Sequence, residues 1–265
     1  MEVVQAIILG VVQGLAEFLP ISSSGHLRLI QDGLGWSDFG LAFDTLLHLA
    51  TLLAVVIYFR SDIAHILRAA FSRDEKLASD RHLAWLIVIA TIPTGLIGLL
   101  GSDFFENADL IWVGVAFLIT SVSLLAADRL SRHAVHSAAK LNWMSAIGVG
   151  VAQGIAVMPG ISRSGATMAA GMGFGLDREQ AARFSFLLSV PIILLAGVKQ
   201  ALDVVGGQAA LPSPAATVLG FIAAAIVGYA AIAGLMAYLR DHTFLPFAIY
   251  TGVLGTCVIL WQLAF

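Results

Sequence analysis

The sequence predicts an all-α, polytopic membrane protein with six full spans plus two re-entrant helix–loop–helix hairpins, related as an inverted-topology repeat. Three observations point to this class. Of the 265 residues, 59% are hydrophobic and only 12% charged, whereas soluble domains sit near ~45–50% apolar and ~25% charged. Several apolar segments are long enough to cross a bilayer. The chain also matches itself at a fixed shift. The same arithmetic excludes other classes. A net charge of −3 offers no footprint for a phosphate backbone, so nucleic acid is not a partner. Disorder is incompatible with so apolar a chain. Cys257 is the sole cysteine, which rules out an intramolecular disulfide and a cysteine metal cluster. The start, Met1-Glu2-Val3-Val4, lacks the basic region of a removable signal peptide.

Taken in chain order, the first apolar stretch, near 5–30, is interrupted by Leu19-Pro20-Ile21-Ser22-Ser23-Ser24-Gly25. Pro removes a backbone donor and Gly relaxes the backbone, so two short helices with a turn between them are expected. Spans follow at roughly 41–59, 83–101 and 110–127, each near the ~20 apolar residues a crossing needs. A second broken stretch, near 144–173, is interrupted by Met158-Pro159-Gly160-Ile161-Ser162-Arg163-Ser164-Gly165. Three more spans close the chain at roughly 184–202, 215–239 and 244–264. Broken backbone at membrane depth survives only where it is buried in protein or lines a cavity, so both broken stretches read as re-entrant.

Basic residues set the orientation. Arg60, Arg68, Arg73, Lys76 and Arg81 lie in a loop over 60–82, and Arg129, Arg132 and Lys140 in one over 128–143. Arg178 and Arg183 precede the fourth span and Arg240 follows the fifth. If each broken stretch enters and leaves on one side, these eleven of the fourteen basic residues share a face. The positive-inside rule makes that face cytoplasmic. The opposite loops, Ser102 to Asp109 and Asp203 to Pro214, hold no Lys or Arg, and both termini lie outside.

A shift of 140 residues pairs eleven identities in the twenty positions from 6 to 25, among them Gln13/Gln153, Gly14/Gly154, Ser22/Ser162, Ser24/Ser164 and Gly25/Gly165. Shared composition does not readily keep Gln-Gly and Ser-x-Ser-Gly in step. Three spans, an odd number, follow each stretch, so the second half (about 141–265) is inverted relative to the first (about 1–127). A site is then expected where the discontinuous helices meet. The halves differ at Ser23/Arg163, Glu17/Val157 and His26/Ala166. Symmetry is kept in the scaffold and broken at the reactive groups.

Gln13 and Glu17 are four apart and share a helix face. A carboxylate in an apolar helix is a functional hypothesis by default, against the plainer alternative of a structural ion pair. Ser22, Ser23 and Ser24 sit at a helix start, where one serine suffices as a cap. Three, followed by Gly25 and His26, exceed that need, and the free N–H groups there favour an anion. His beside Ser and Glu suits a general base or nucleophile. Arg163, framed by Ser162 and Ser164, can grip phosphate bidentately, and Thr167 adds a hydroxyl one turn on. Asp44 and His48 form another i,i+4 pair that either lines the same cavity or is merely self-paired.

Gln13-Gly14-Leu15-Ala16-Glu17-Phe18-Leu19-Pro20-Ile21-Ser22-Ser23-Ser24-Gly25-His26 and Pro159-Gly160-Ile161-Ser162-Arg163-Ser164-Gly165-Ala166-Thr167 resemble the two signature motifs of the undecaprenyl-diphosphate phosphatases, also called bacitracin-resistance proteins. The resemblance runs over the whole chain. It implies a bacterial inner-membrane hydrolase that converts undecaprenyl diphosphate to the monophosphate and phosphate, recycling the carrier for peptidoglycan synthesis. The family's first motif begins with Glu or Gln; Gln13 is the neutral version, which argues against a metal site needing two carboxylates.

On that reading Ser23 is the nucleophile with His26 as base, direct attack by His26 being the alternative. Arg163 clamps phosphate, and Glu17 orients His26 or binds a divalent cation, Mg²⁺ or Ca²⁺. Gln13, Ser22, Ser24, Gly25, Ser162, Ser164, Gly165 and Thr167 are the expected substrate-binding residues. The isoprenoid tail stays in membrane lipid, no organic cofactor is expected, and a homodimer is admitted without being required. The Ser23 hairpin enters from the outer side, so the active site faces the periplasm. A rival class is a transporter or flippase of a phosphorylated lipid or anion, since inverted repeats are transporter architecture.

Overall fold

The structure, a computed structural model, describes residues 1–36, 39–106, 108–130 and 141–264. Arg132 and Lys140 of the basic face lie outside the described residues. Eleven α-helices make up the described part: α1 Glu2–Phe18, α2 Ser23–Leu34, α3 Gly40–Tyr58, α4 Arg60–Ala70, α5 Ala78–Glu106, α6 Leu110–Leu130, α7 Trp143–Ile155, α8 Arg163–Gly173, α9 Arg178–Val205, α10 Pro214–Tyr238 and α11 Leu245–Ala264. Six of them (α3, α5, α6, α9, α10 and α11) are long and apolar enough to cross a membrane, with mean hydropathy of 1.7 to 2.3. The chain is a multi-pass membrane protein.

Several boundaries differ from those the sequence predicts. The helices α5 and α9 run well past 83–101 and 184–202, because a helix need not end where the hydrocarbon ends. Polar turns such as Arg178–Arg183 continue it, and Asp177 caps α9 by accepting from Gln180 N at 2.8 Å. For the same reason the expected loop from Ser102 is helical to Glu106. The predicted 60–82 loop contains α4, an 11-residue helix too short and too charged to register as a span. It follows α3 across Phe59, which ends one helix and begins the other.

Polar contacts at the helix ends show which ends lie together. Arg178 Nε donates to Asp128 Oδ1 at 2.8 Å, Phe244 N donates to Asp128 Oδ2 at 2.7 Å, and Arg183 pairs with Asp62. His82 Nε2 meets the Leu141 carbonyl at 2.7 Å, just before α7. These bonds gather the starts of α5, α7, α9 and α11 at one end of the bundle, with the end of α6. At the far end, Ser213 N donates to Glu2 at 2.9 Å and Gln31 Nε2 donates to Asp44 at 2.8 Å, joining the start of α1 to that of α10 and α2 to α3.

Packing echoes the internal repeat. Helix α1 lies along α10 and α7 along α5, and both contacts are backbone to backbone. A Cβ on Gly10 would sit 2.3 Å from the Gly220 carbonyl oxygen; one on Gly150, its partner in the 140-residue shift, would sit 2.2 Å from that of Ala90. Small residues are how membrane helices gain dispersion contact when apolar burial gives no preference over lipid. The buried aromatic core, where Phe18 meets Phe186 edge-on at 5.4 Å, lies directly beneath the first helix break.

Candidate active site

Each break has its own local cause. Helix α1 ends at Phe18 because Pro20 drives Leu19 into extended backbone (φ −62°, ψ 138°). Ser22 then adopts φ 70°, the one positive φ of a non-glycine among the described residues, and caps α2 by accepting from Gly25 N at 3.4 Å. In the second break Gly160 has φ +97°, and a Cβ there would lie 2.4 Å from the Val113 carbonyl oxygen, so only glycine fits. Ser162 caps α8 by accepting from Gly165 N at 3.0 Å. Thr120 of α6 braces this turn, donating to the Gly160 carbonyl and accepting from Ser162 N, both at 3.0 Å.

The two breaks touch. Ser22 Oγ accepts from Gly160 N at 3.1 Å, Ser164 Oγ donates to the Leu19 carbonyl at 3.3 Å, and Arg163 pairs with Glu17. Glu17, 5% exposed, is the hub. One oxygen, Oε1, faces Arg163; the other, Oε2, accepts from Ser23 Oγ at 2.5 Å and from Gln13 Nε2 at 3.0 Å. His48 brings its Nε2 to 3.4 Å from Oε2, while its Nδ1 donates to the Asp44 carbonyl at 2.8 Å.

A cavity of about 300 Å³ opens at this hub. Glu17, Ser22, Ser23, Ser24, Ser162 and Arg163 line it, together with His48, Thr94 and Gln153; Leu41, Ile193 and Ala196 supply apolar wall. Ser23 and Arg163 are the first residues of α2 and α8, so two helix starts meet the cavity, an arrangement that favours an anion.

Other predicted residues lie behind the wall. Thr167 is fully buried and spends its hydroxyl on the Arg163 carbonyl at 2.8 Å and on Ser185 Oγ at 2.5 Å. Gln13, Ser164, Gly25 and Gly165 support the breaks without lining the cavity. His26 also stands outside it. Its Nδ1 donates to the Ser22 carbonyl and its Nε2 meets Tyr250 Oη, both at 2.7 Å, with the ring stacked on Tyr250 and edge-on to Phe117. The imidazole beside Glu17 is therefore that of His48. Its place follows from the packing of α3, and the Asp44–His48 spacing is the only sequence signal for it. Thr94 has no such signal, whereas Gln153 is marked by its pairing with Gln13 across the repeat.

Glu17 is the one carboxylate among the residues that line the cavity. Both oxygens of Glu17 are engaged, and among the described residues no three His, Cys, Asp or Glu side chains are grouped as metal ligands.

Fold and site together define a helical membrane protein with a carboxylate, a serine and an arginine in an anion-favouring cavity. The chain matches the family described as bacitracin resistance protein BacA over residues 6–257 and belongs to it. It is 43% identical to the undecaprenyl-diphosphatase of Rubrobacter xylanophilus, over 97% of each chain. It is 41% identical to that of Chlorobium chlorochromatii, over 98% of this chain and 96% of the relative. With undecaprenyl-diphosphatase 2 of Stutzerimonas stutzeri it shares 42% identity over 98% of each.

Proposed function

We propose that the chain hydrolyses undecaprenyl diphosphate to undecaprenyl phosphate and inorganic phosphate by way of a phosphoserine at Ser23. The observation that carries this reading is the short bond from Ser23 Oγ to Glu17, whose other oxygen is held by Arg163 from the opposite break. In the first step Oγ attacks the terminal phosphorus and its proton passes to Glu17 Oε2. The bridging P–O bond breaks, and its electron pair leaves on the lipid monophosphate. In the second step water attacks the phosphoserine. The P–Oγ bond breaks, Oγ recovers the proton from Glu17, and phosphate leaves as the dihydrogen anion. Arg163 and the starts of α2 and α8 neutralise the charge on the equatorial oxygens. His26, held by Ser22 and Tyr250, shapes the strained turn. Mg²⁺ or Ca²⁺, where present, would arrive on phosphate oxygens rather than in a protein cage.

The architecture is an inverted-topology repeat with two re-entrant hairpins. Its support is that α1 and α2 are tied at one end of the bundle and α7 starts at the other, where α9 begins. The paired glycine contacts support the repeat. A transporter reading has only this symmetry in its favour, and translocation does not require the Ser23–Glu17 bond.

Phosphate release by purified protein tests the site. Ser23→Ala and Glu17→Gln should each fall by more than ~10³-fold, and Arg163→Lys by roughly 10²-fold. Normal rates in all three would overturn the assignment. Phosphate trapped during turnover should be acid-stable phosphoserine; acid-labile phosphohistidine would instead make a histidine the nucleophile, and mapping the labelled peptide would tell His48 in the wall from His26 behind it. Lipid moved across proteoliposomes with no phosphate released would establish the transporter.

A further inference from the structure

The proposed reaction needs a water held for the second step, a task that none of Ser23, Glu17 and Arg163 performs. Gln153 is buried to 1% exposure, lines the cavity from the second half of the chain, and its Oε1 has no hydrogen-bond donor among the described residues. Its orientation is fixed by Thr94. The single hydroxyl hydrogen of Thr94 faces the carbonyls of Ala90 at 2.9 Å and Gly150 at 2.8 Å, so Thr94 Oγ1 can only accept from Gln153, at 3.0 Å. The amide therefore keeps its NH₂ on Thr94, and Oε1 is the atom left over.

A buried carbonyl oxygen without a donor costs free energy until a donor arrives. A diphosphate head group is a poor candidate, because its oxygens are anionic acceptors that a carbonyl dipole repels. The donors in this wall, Arg163 and the serine hydroxyls, already suit those oxygens. What remains is an O–H donor small enough to share the cavity with a phosphoryl group.

We propose that Gln153 is a positioning residue for the hydrolytic water, whose O–H donates to Gln153 Oε1 while its oxygen attacks the phosphorus of phosphorylated Ser23. An amide oxygen is too weak a base to take the proton. It orients the water only, and both water hydrogens leave on dihydrogen phosphate as Glu17 returns its own proton to Oγ. The proposal rests on the phosphoserine reading and predicts a step-specific defect.

The test uses full-length protein in detergent and polyprenyl diphosphate labelled in its terminal phosphate. In Gln153→Leu, the first equivalent of lipid monophosphate should form within threefold of the wild-type rate. Steady-state turnover should fall at least 30-fold, and labelled phosphoserine should accumulate towards one per chain. Thr94→Val, which removes the anchor but leaves the acceptor oxygen, should show the same pattern at three- to tenfold. Equal slowing of the first turnover and the steady state, with no accumulation in either variant, would overturn the role of Gln153 and leave the covalent reading intact. Absence of labelled serine in wild type and in both variants, with turnover retained, would overturn the covalent reading itself.

Discussion

Ser22 is asked to do three things at once. It holds φ 70°, caps α2, and accepts from Gly160 N, so that one side chain fixes both the shape of its own turn and the distance to the other. A non-glycine residue there stores on the order of 1–3 kcal/mol, tolerable only because its neighbours over-determine the conformation. Ser22→Ala removes the cap, about 0.5–2 kcal/mol, and strands a buried N–H, about 1–3 kcal/mol, without relieving the backbone. It should lower unfolding free energy in detergent by about 2–4 kcal/mol. Ser22→Gly loses the same bonds but releases the strain, and should be more stable than Ser22→Ala by about 1 kcal/mol. Chemical denaturation of both variants decides it; an alanine variant as stable as the glycine one would mean that the turn stores nothing. Side-chain placement is also where sequence reading meets its limit. Glu17, Ser23 and Arg163 are legible because charge and hydroxyls at a break in an apolar helix have no cheap structural explanation. His26 follows Ser23 by three residues, which puts both on one side of α2. Where its ring turns is decided by Tyr250, 224 residues away.

At the scale of elements, apolar length finds the six spans and Pro-Gly-Ser punctuation finds the two breaks. Neither signal sees the polar helical turns that extend α5 and α9, nor α4, whose helix is stabilised at the end of the bundle rather than by apolar length. The repeat makes a sharper demand than the boundaries do. If Gly10 and Gly150 play one role in two copies, they should respond alike to the same substitution. Added methyls would lie 2.3 and 2.2 Å from backbone oxygens, which no rotamer change can relieve. Overpacking of this kind costs roughly 1–3 kcal/mol and sometimes more, so Gly10→Ala and Gly150→Ala should each destabilise the protein by at least about 2 kcal/mol. Gly98 is the control. A Cβ there meets only Val157 Cγ2, at 3.7 Å, and Gly98→Ala within α5 should be neutral or stabilising by up to about 1 kcal/mol. Thermal unfolding in one detergent compares the three. A glycine pair that differs by more than about 2 kcal/mol would count against equivalent packing of the two halves.

For the molecule as a whole, the cavity is set off from the basic end at which α9 begins. Arg178 and Arg183 stand in the first turns of α9, whereas Ile193 and Ala196, in the cavity wall, lie just past its midpoint. Leu41, half exposed and also in the wall, is in the first turn of α3, whose other end runs into Arg60 of α4. A basic end in the cytoplasm, as the positive-inside rule predicts, would place the cavity mouth on the periplasmic side, and the proposed head group would then reach Ser23 from there. The isoprenoid tail stays in lipid, since withdrawing it would cost about 0.8 kcal/mol per CH₂. Impermeant thiol labelling reads this sidedness directly. Cys257 is exposed and is the only cysteine, so a Cys257→Ser background is silent. In that background Leu41→Cys and Ser24→Cys should react in intact cells with reagent added outside, and saturating polyprenyl diphosphate should slow the reaction at Ser24→Cys. An Arg68→Cys variant, on the exposed side of α4, should react only in inverted vesicles. Labelling of position 24 solely from the cytoplasmic side would reverse the assignment, because one cavity about 300 Å³ in volume contains both the wall at Leu41 and the serine proposed to take the phosphoryl group.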